Sequence, residues 1–127
     1  MMNTMTLVRS NAPGAAAEAP RTIDLVHLAR MTLGDRSLER EVLQLFVRQA
    51  SQLVERMRNG PADRIGPLAH TLKGSARGIG ACRVAAAVEA AELASSGAAL
   101  GLPAALERLA ESVDEAATVI TELLRAH

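Results

Sequence analysis

Ala69-His70-Thr71-Leu72-Lys73-Gly74-Ser75-Ala76 sets a histidine, a cation three residues later and a glycine four residues later inside an apolar helical pattern. On an α-helix the positions i, i+3, i+4 and i+7 share a face, so His70, Lys73, Gly74 and Arg77 form one stripe while Leu68, Leu72, Ala76 and Ile79 lie nearer another. One side of this helix is reactive and cationic, and the other is oily. A glycine inside a helix costs about 1 kcal/mol relative to alanine, so something must offset Gly74. Because Gly74 falls on the polar stripe with His70 and not on the oily one, room for a molecule approaching the histidine is favoured over close packing of two helices.

Outward from this stretch, every periodic segment is helical. Pro67 lacks a backbone donor and predicts a kink, or a late start just before His70, in a helix running from roughly Ala62 to Arg77. Gly78-Ile79-Gly80 ends that helix, since two glycines permit the left-handed backbone of a tight reversal. Cys82 to Ser95 follows as a small-residue helix with Val84, Ala87, Val88 and Ala91 facing inward. Pro103 suits the first turn of a last helix carrying Leu106, Leu109, Val113, Ala116, Ile120 and Leu123. Upstream, Asp35 caps a long helix with Leu38, Val42, Leu45, Phe46, Gln49, Leu53 and Met57 on one stripe, and Asn59-Gly60-Pro61 stops it. Asp24 caps a shorter helix with Leu25, Leu28 and Ala29 that ends near Thr32 to Gly34. With no strand signal, the expected fold is all-α: an antiparallel four-helix up-down bundle with an extra short N-terminal helix. Residues 1–21, Ala/Pro-rich and aperiodic, read as a disordered leader to a single domain at 22–127.

The composition narrows the function classes. Fourteen Lys and Arg balance 14 Asp and Glu, which gives no reason to expect nucleic acid or an anionic membrane surface as partner. Phe46 is the only aromatic residue, so stacking platforms for bases are lacking. No run approaches the about 20 apolar residues that span a bilayer, and the N-terminus has no apolar core of a secretion signal. Cys82 is alone, which excludes an intramolecular disulfide and fits a reducing cytoplasm; beside a glycine-rich turn it reads as a small packing residue. His27 and His127 lack surroundings like those of His70 and read as an ordinary semi-buried residue and a frayed terminus.

The run at 69–76, followed by Gly80-Ala81, resembles the signature of the histidine phosphotransfer (HPt) domain family, and the helix order from about Thr22 to Leu124 agrees with it. The resemblance implies that His70 accepts a phosphoryl group from response-regulator receiver domains, including those of hybrid histidine kinases, and passes it to another. It also implies that Lys73 supports the phosphoryl group, that Gly74 leaves room for the partner, and that a Gln or Glu on the next helix bonds the histidine ring; by spacing this is Glu92, with Glu89 as its near neighbour.

Residue chemistry gives these roles a physical basis. An imidazole with an ordinary pKa of about 6.5 is substantially neutral at cytoplasmic pH, so one ring nitrogen can attack phosphorus without a separate base. A carboxylate accepting from Nδ1–H would fix the tautomer that leaves the Nε2 lone pair outward, and would steady the cation that develops. Lys73 and Arg77 would offset the negative charge of the transferring oxygens. Apolar residues around Leu68, Thr71 and Ile79 would dock a receiver helix in a transient interface. The chain needs no cofactor of its own, since no carboxylates have the spacing of a metal site, and the magnesium ion of the reaction belongs to the receiver. A monomer is expected. The absence of a P-loop and of a kinase signature argues against phosphate drawn from ATP. Two other classes remain: a non-catalytic adaptor that binds and sequesters a receiver, and a hydrolase using His70 as general base, for which the sequence offers no pocket or partner groups.

Overall fold

The computed structural model describes residues 22–97 and 101–126, so the leader expected at 1–21 and the terminal His127 lie outside the described residues. Among the described residues five α-helices follow in order: α1 Leu25–Met31, α2 Arg36–Asn59, α3 Ile65–Ile79, α4 Cys82–Ser95 and α5 Leu102–Ala126. Local chemistry explains the boundaries. The Asp24 carboxylate accepts from His27 N–H at the start of α1, and the Asp35 carboxylate accepts from Leu38 N–H at the start of α2, each satisfying an otherwise orphaned donor. Pro61 leads into a 3-10 turn at Ala62–Arg64, and α3 begins directly after it. Pro67 therefore sits in the first turn of α3, where its missing N–H breaks no hydrogen bond. The helix starts late, as its proline requires, but at Ile65 and not just before His70. Pro103 likewise occupies the second position of α5.

Helices α2 to α5 close a four-membered ring in which α2 packs on α3 and α5, and α4 packs on the same two. Their shared interior holds Phe46, Met57, Leu72, Val84, Val88, Leu109 and Ile120, all buried. In α4 the inward residues are Val84, Ala85, Val88, Ala91 and Ala94, small enough for its axis to lie close to its neighbours; Ala87 is only partly buried. The inward face of α2 differs from the predicted stripe. Leu43, Phe46, Ala50, Leu53, Val54 and Met57 are buried, whereas Leu38 and Leu45 are 40% and 55% exposed and Gln49 faces solvent. The apolar surface of α2 is wider than its two neighbours can cover, and the bundle takes the half that includes Ala50 and Val54.

Helix α1 is fastened across the α3–α4 reversal. Asp24 N–H donates to Gly80 O at 2.8 Å, and His27 Nε2–H donates to Gly78 O at 3.1 Å. Gly80 has φ +84°, and a Cβ built there would lie 2.9 Å from Asp24 O. Both the left-handed backbone and the close approach of α1 demand glycine. Gly80→Ala is expected to cost about 2 kcal/mol, the penalty of a left-handed non-glycine residue plus displacement of α1. Urea unfolding checks this: the midpoint should fall, with the slope unchanged.

Candidate functional site

The reactive face follows from which side of α3 the bundle buries. Ile65, Ala69, Leu72 and Ala76 are inside, so His70, one turn on from Gly66 and Pro67, is turned outward. Its side chain is 79% exposed. Gly74 lies one turn further along, and a Cβ added there meets nothing within 4 Å. No neighbouring helix presses on this glycine, so packing does not account for it, and the space above it is open.

The α3–α4 reversal brings acids from α4 beside this face. Ala81 N–H donates to Ala76 O at 2.8 Å, closing the glycine-capped turn that lays α4 antiparallel to α3. Two rungs result. Lys73 Nζ donates to Glu92 Oε1 at 2.7 Å, and Arg77 Nη2 donates to Glu89 Oε2 at 2.7 Å. The other Glu92 oxygen, Oε2, stands 3.8 Å from His70 Nδ1, too far for a hydrogen bond but near enough for a small torsional change to make one. The register thus separates the two α4 acids: Glu92 faces His70 and Lys73, while Glu89 faces Arg77. Lys73 and Glu92 are sheltered, with side chains 18% and 25% exposed, whereas Arg77 and Glu89 are more than half exposed and their pair adds little to stability. Of the five residues predicted for the site, His70, Lys73, Gly74 and Glu92 converge. Arg77 lies a turn beyond them, held by its own partner.

An apolar groove of about 340 Å³ opens between α1, α2 and the C-terminal end of α3, lined by Leu28, Met31, Leu38, Val42, Leu45 and Ile79 among others. Of the docking residues expected from sequence, Ile79 lines it. Leu68 instead borders a separate cleft with Arg56 and Arg64, and Thr71 is exposed with its hydroxyl donating to Pro67 O. Gln49 spans the edge of the groove, its Oε1 accepting from Ser75 Oγ at 2.7 Å. The exposed leucines of α2 that sequence periodicity assigned to the core are therefore the wall of this groove. Their signal in the sequence was an apolar arc broader than one packed stripe.

Comparisons with known proteins agree with this helical fold. A family model described as Hpt domain matches residues 41–123, a span that includes α3 with His70 and α4 with Glu92. The crystal structure of histidine-containing phosphotransfer protein B (HptB) from Pseudomonas aeruginosa PAO1 superposes with a TM-score of 0.74 at 18% identity, covering 86% of this chain and 99% of that one; at that identity the likeness concerns the fold. Among curated proteins none matches the chain. Since the matched span is most of the chain and holds both sides of the His70 cluster, the chain belongs to the Hpt domain family, the histidine phosphotransfer modules of phosphorelays.

Proposed function

We propose that this chain is a phosphocarrier in which His70 takes a phosphoryl group from the aspartyl phosphate of one receiver domain and delivers it to the aspartate of another. The observation that carries the reading is the outward, 79% exposed ring of His70 beside a glycine with open space above it and a carboxylate behind its Nδ1. In the forward step the Nε2 lone pair attacks phosphorus, the N–P bond forms as the aspartyl O–P bond breaks, and the receiver recovers its carboxylate. The positive charge left on the ring is met by Glu92. The reverse step regenerates neutral imidazole, so the chain stores the group without consuming ATP.

The magnesium ion of the reaction is assigned to the receiver, and the chain contributes no cofactor. The groove walled by Leu38, Val42 and Leu45 is the docking surface in this reading, since its apolar lining suits an apolar element of a receiver. The even charge balance and lone thiol of the chain suit a cytoplasmic monomer that meets its partners briefly.

Substitution at Gly74 gives a test of access. Gly74→Leu is expected to leave α3 folded, because a side chain there points into open space, while slowing transfer from a phosphorylated receiver about tenfold or more, the loss of some 1.4 kcal/mol of docking. Helicity by circular dichroism and the transfer rate together check it. The carrier and the sequestering adaptor part in a chase experiment. The chain is mixed with a radiolabelled phospho-receiver, and a second, unlabelled receiver is added. Label passing through the chain to the second receiver supports the carrier; label remaining on the first, despite a stable complex, supports the adaptor.

A further inference from the structure

Sequence chemistry assigns Lys73 to the phosphoryl group and Glu92 to the ring, yet in the unmodified chain these two side chains hold each other, Nζ to Oε1 at 2.7 Å. Glu92 reaches toward His70 only with its second oxygen, at 3.8 Å. We propose that phosphorylation of His70 exchanges the partners of this pair: Lys73 leaves Glu92 for the phosphoryl oxygens, and Glu92 closes on the Nδ1–H of the now cationic ring. Glu92 is thus a positioning residue that parks the lysine while His70 is empty and releases it when His70 is loaded. This rests on the phosphocarrier reading of His70.

Electrostatics favours the exchange. Before loading, one ammonium meets one carboxylate, and the ring offers Glu92 Oε2 only an uncharged Nδ1–H donor, a weaker partner than the ammonium. After loading, a phosphoryl dianion stands one helical turn from Lys73, and the ring bearing both the N–P bond and Nδ1–H carries positive charge. One ion pair becomes two, ammonium with phosphoryl and imidazolium with carboxylate, each with charge-assisted hydrogen bonds. The motion required is small. Lys73 has four rotatable bonds and lies on the same stripe as His70, and Glu92 already has one oxygen on each side. The buried apolar packing of α3 on α4 is untouched while the rung opens.

The exchange can be read with a small phosphodonor in place of a receiver. Phosphoramidate transfers its phosphoryl group to Nε2, the donor N–P bond breaking and ammonia leaving, and phosphorus-31 NMR reports the phosphohistidine. In the same sample, nitrogen-15 NMR follows the Lys73 ammonium in the wild type and in Glu92→Gln, and carbon-13 NMR follows the Glu92 carboxylate in the wild type. The Glu92→Gln change is expected to shift the Lys73 ammonium signal clearly in the empty chain, and to lose more than half of that effect once phosphohistidine is present. A Lys73 response to Glu92→Gln of equal size before and after loading would show the pair to be a fixed structural tie and overturn the proposal. A chain that yields no phosphohistidine signal at all would overturn the phosphocarrier reading, and this inference with it.

Discussion

His70→Gln is expected to reduce phosphoryl acceptance from a phosphorylated receiver to background, with no measurable loss of stability. Glutamine retains a polar side chain of comparable reach but has no nucleophilic nitrogen lone pair, because its amide nitrogen is conjugated with the carbonyl. The His70 side chain is 79% exposed, and Glu92, 3.8 Å from its Nδ1, is already bonded to Lys73. Surface substitutions of that kind stay within about 0.5 kcal/mol of the wild type. The effect therefore separates chemistry from folding: a thermal melt superposable on that of the wild type, together with no label retained on the chain. Receiver binding, measured by titration, should persist, because the groove of Leu38, Val42 and Leu45 is untouched. Residual labelling at wild-type rate would place the acceptor elsewhere.

The second large effect has the opposite profile. Leu72 lies on the same turn as His70 but on the other side of α3, fully buried, in the interior shared by the four long helices. Leu72→Ala removes buried methyl groups and leaves a cavity that close-packed helices fill only in part, at an expected cost of about 2 to 5 kcal/mol. For a domain whose whole stability is of order 5 to 15 kcal/mol, that is a large share. The melting temperature should fall by roughly 10 °C or more. Well below the new melting temperature, transfer to His70 should proceed at close to the normal rate, since the outer face of α3 carries none of the deleted atoms. A variant that melts normally, or one that is stable but inactive when cold, would contradict the two-sided reading of α3.

What the sequence made legible is mainly what depends on neighbours along the chain. Asp24 and Asp35 cap their helices because the carboxylate and the donor it satisfies are three residues apart. Gly80 reverses the chain because its own backbone and that of Asp24 require it. The outward aim of His70 follows from helical period alone. What depends on partners across the bundle was less accessible. Leu38, Leu45 and Gln49 share a helical face with Phe46 and Leu53, but the neighbours of α2 cover Ala50 and Val54 instead, and periodicity by itself cannot tell which half of a broad apolar arc will be covered. Pro67 signalled a late helix start without saying that a 3-10 turn would precede it at Ala62–Arg64.

The pairing at the site shows the same division. Spacing along α3 puts Lys73 near His70, and spacing along α4 puts Glu92 at about the same height. That the lysine would spend the empty state bonded to the carboxylate, 2.7 Å away, is a property of two helices together. The separation of Glu92 from Glu89 is likewise decided by the register that the Gly80 turn imposes, and both acids find cations on α3 as a result.

The most direct test of the central claim is to locate the phosphate. Wild-type chain incubated with a phosphorylated receiver, isolated without acid and digested at alkaline pH, is analysed by tandem mass spectrometry. The account predicts an acid-labile, base-stable phosphoryl group on the imidazole of His70. Phosphate on a different residue, or none on the chain despite a phosphorylated receiver, would contradict it.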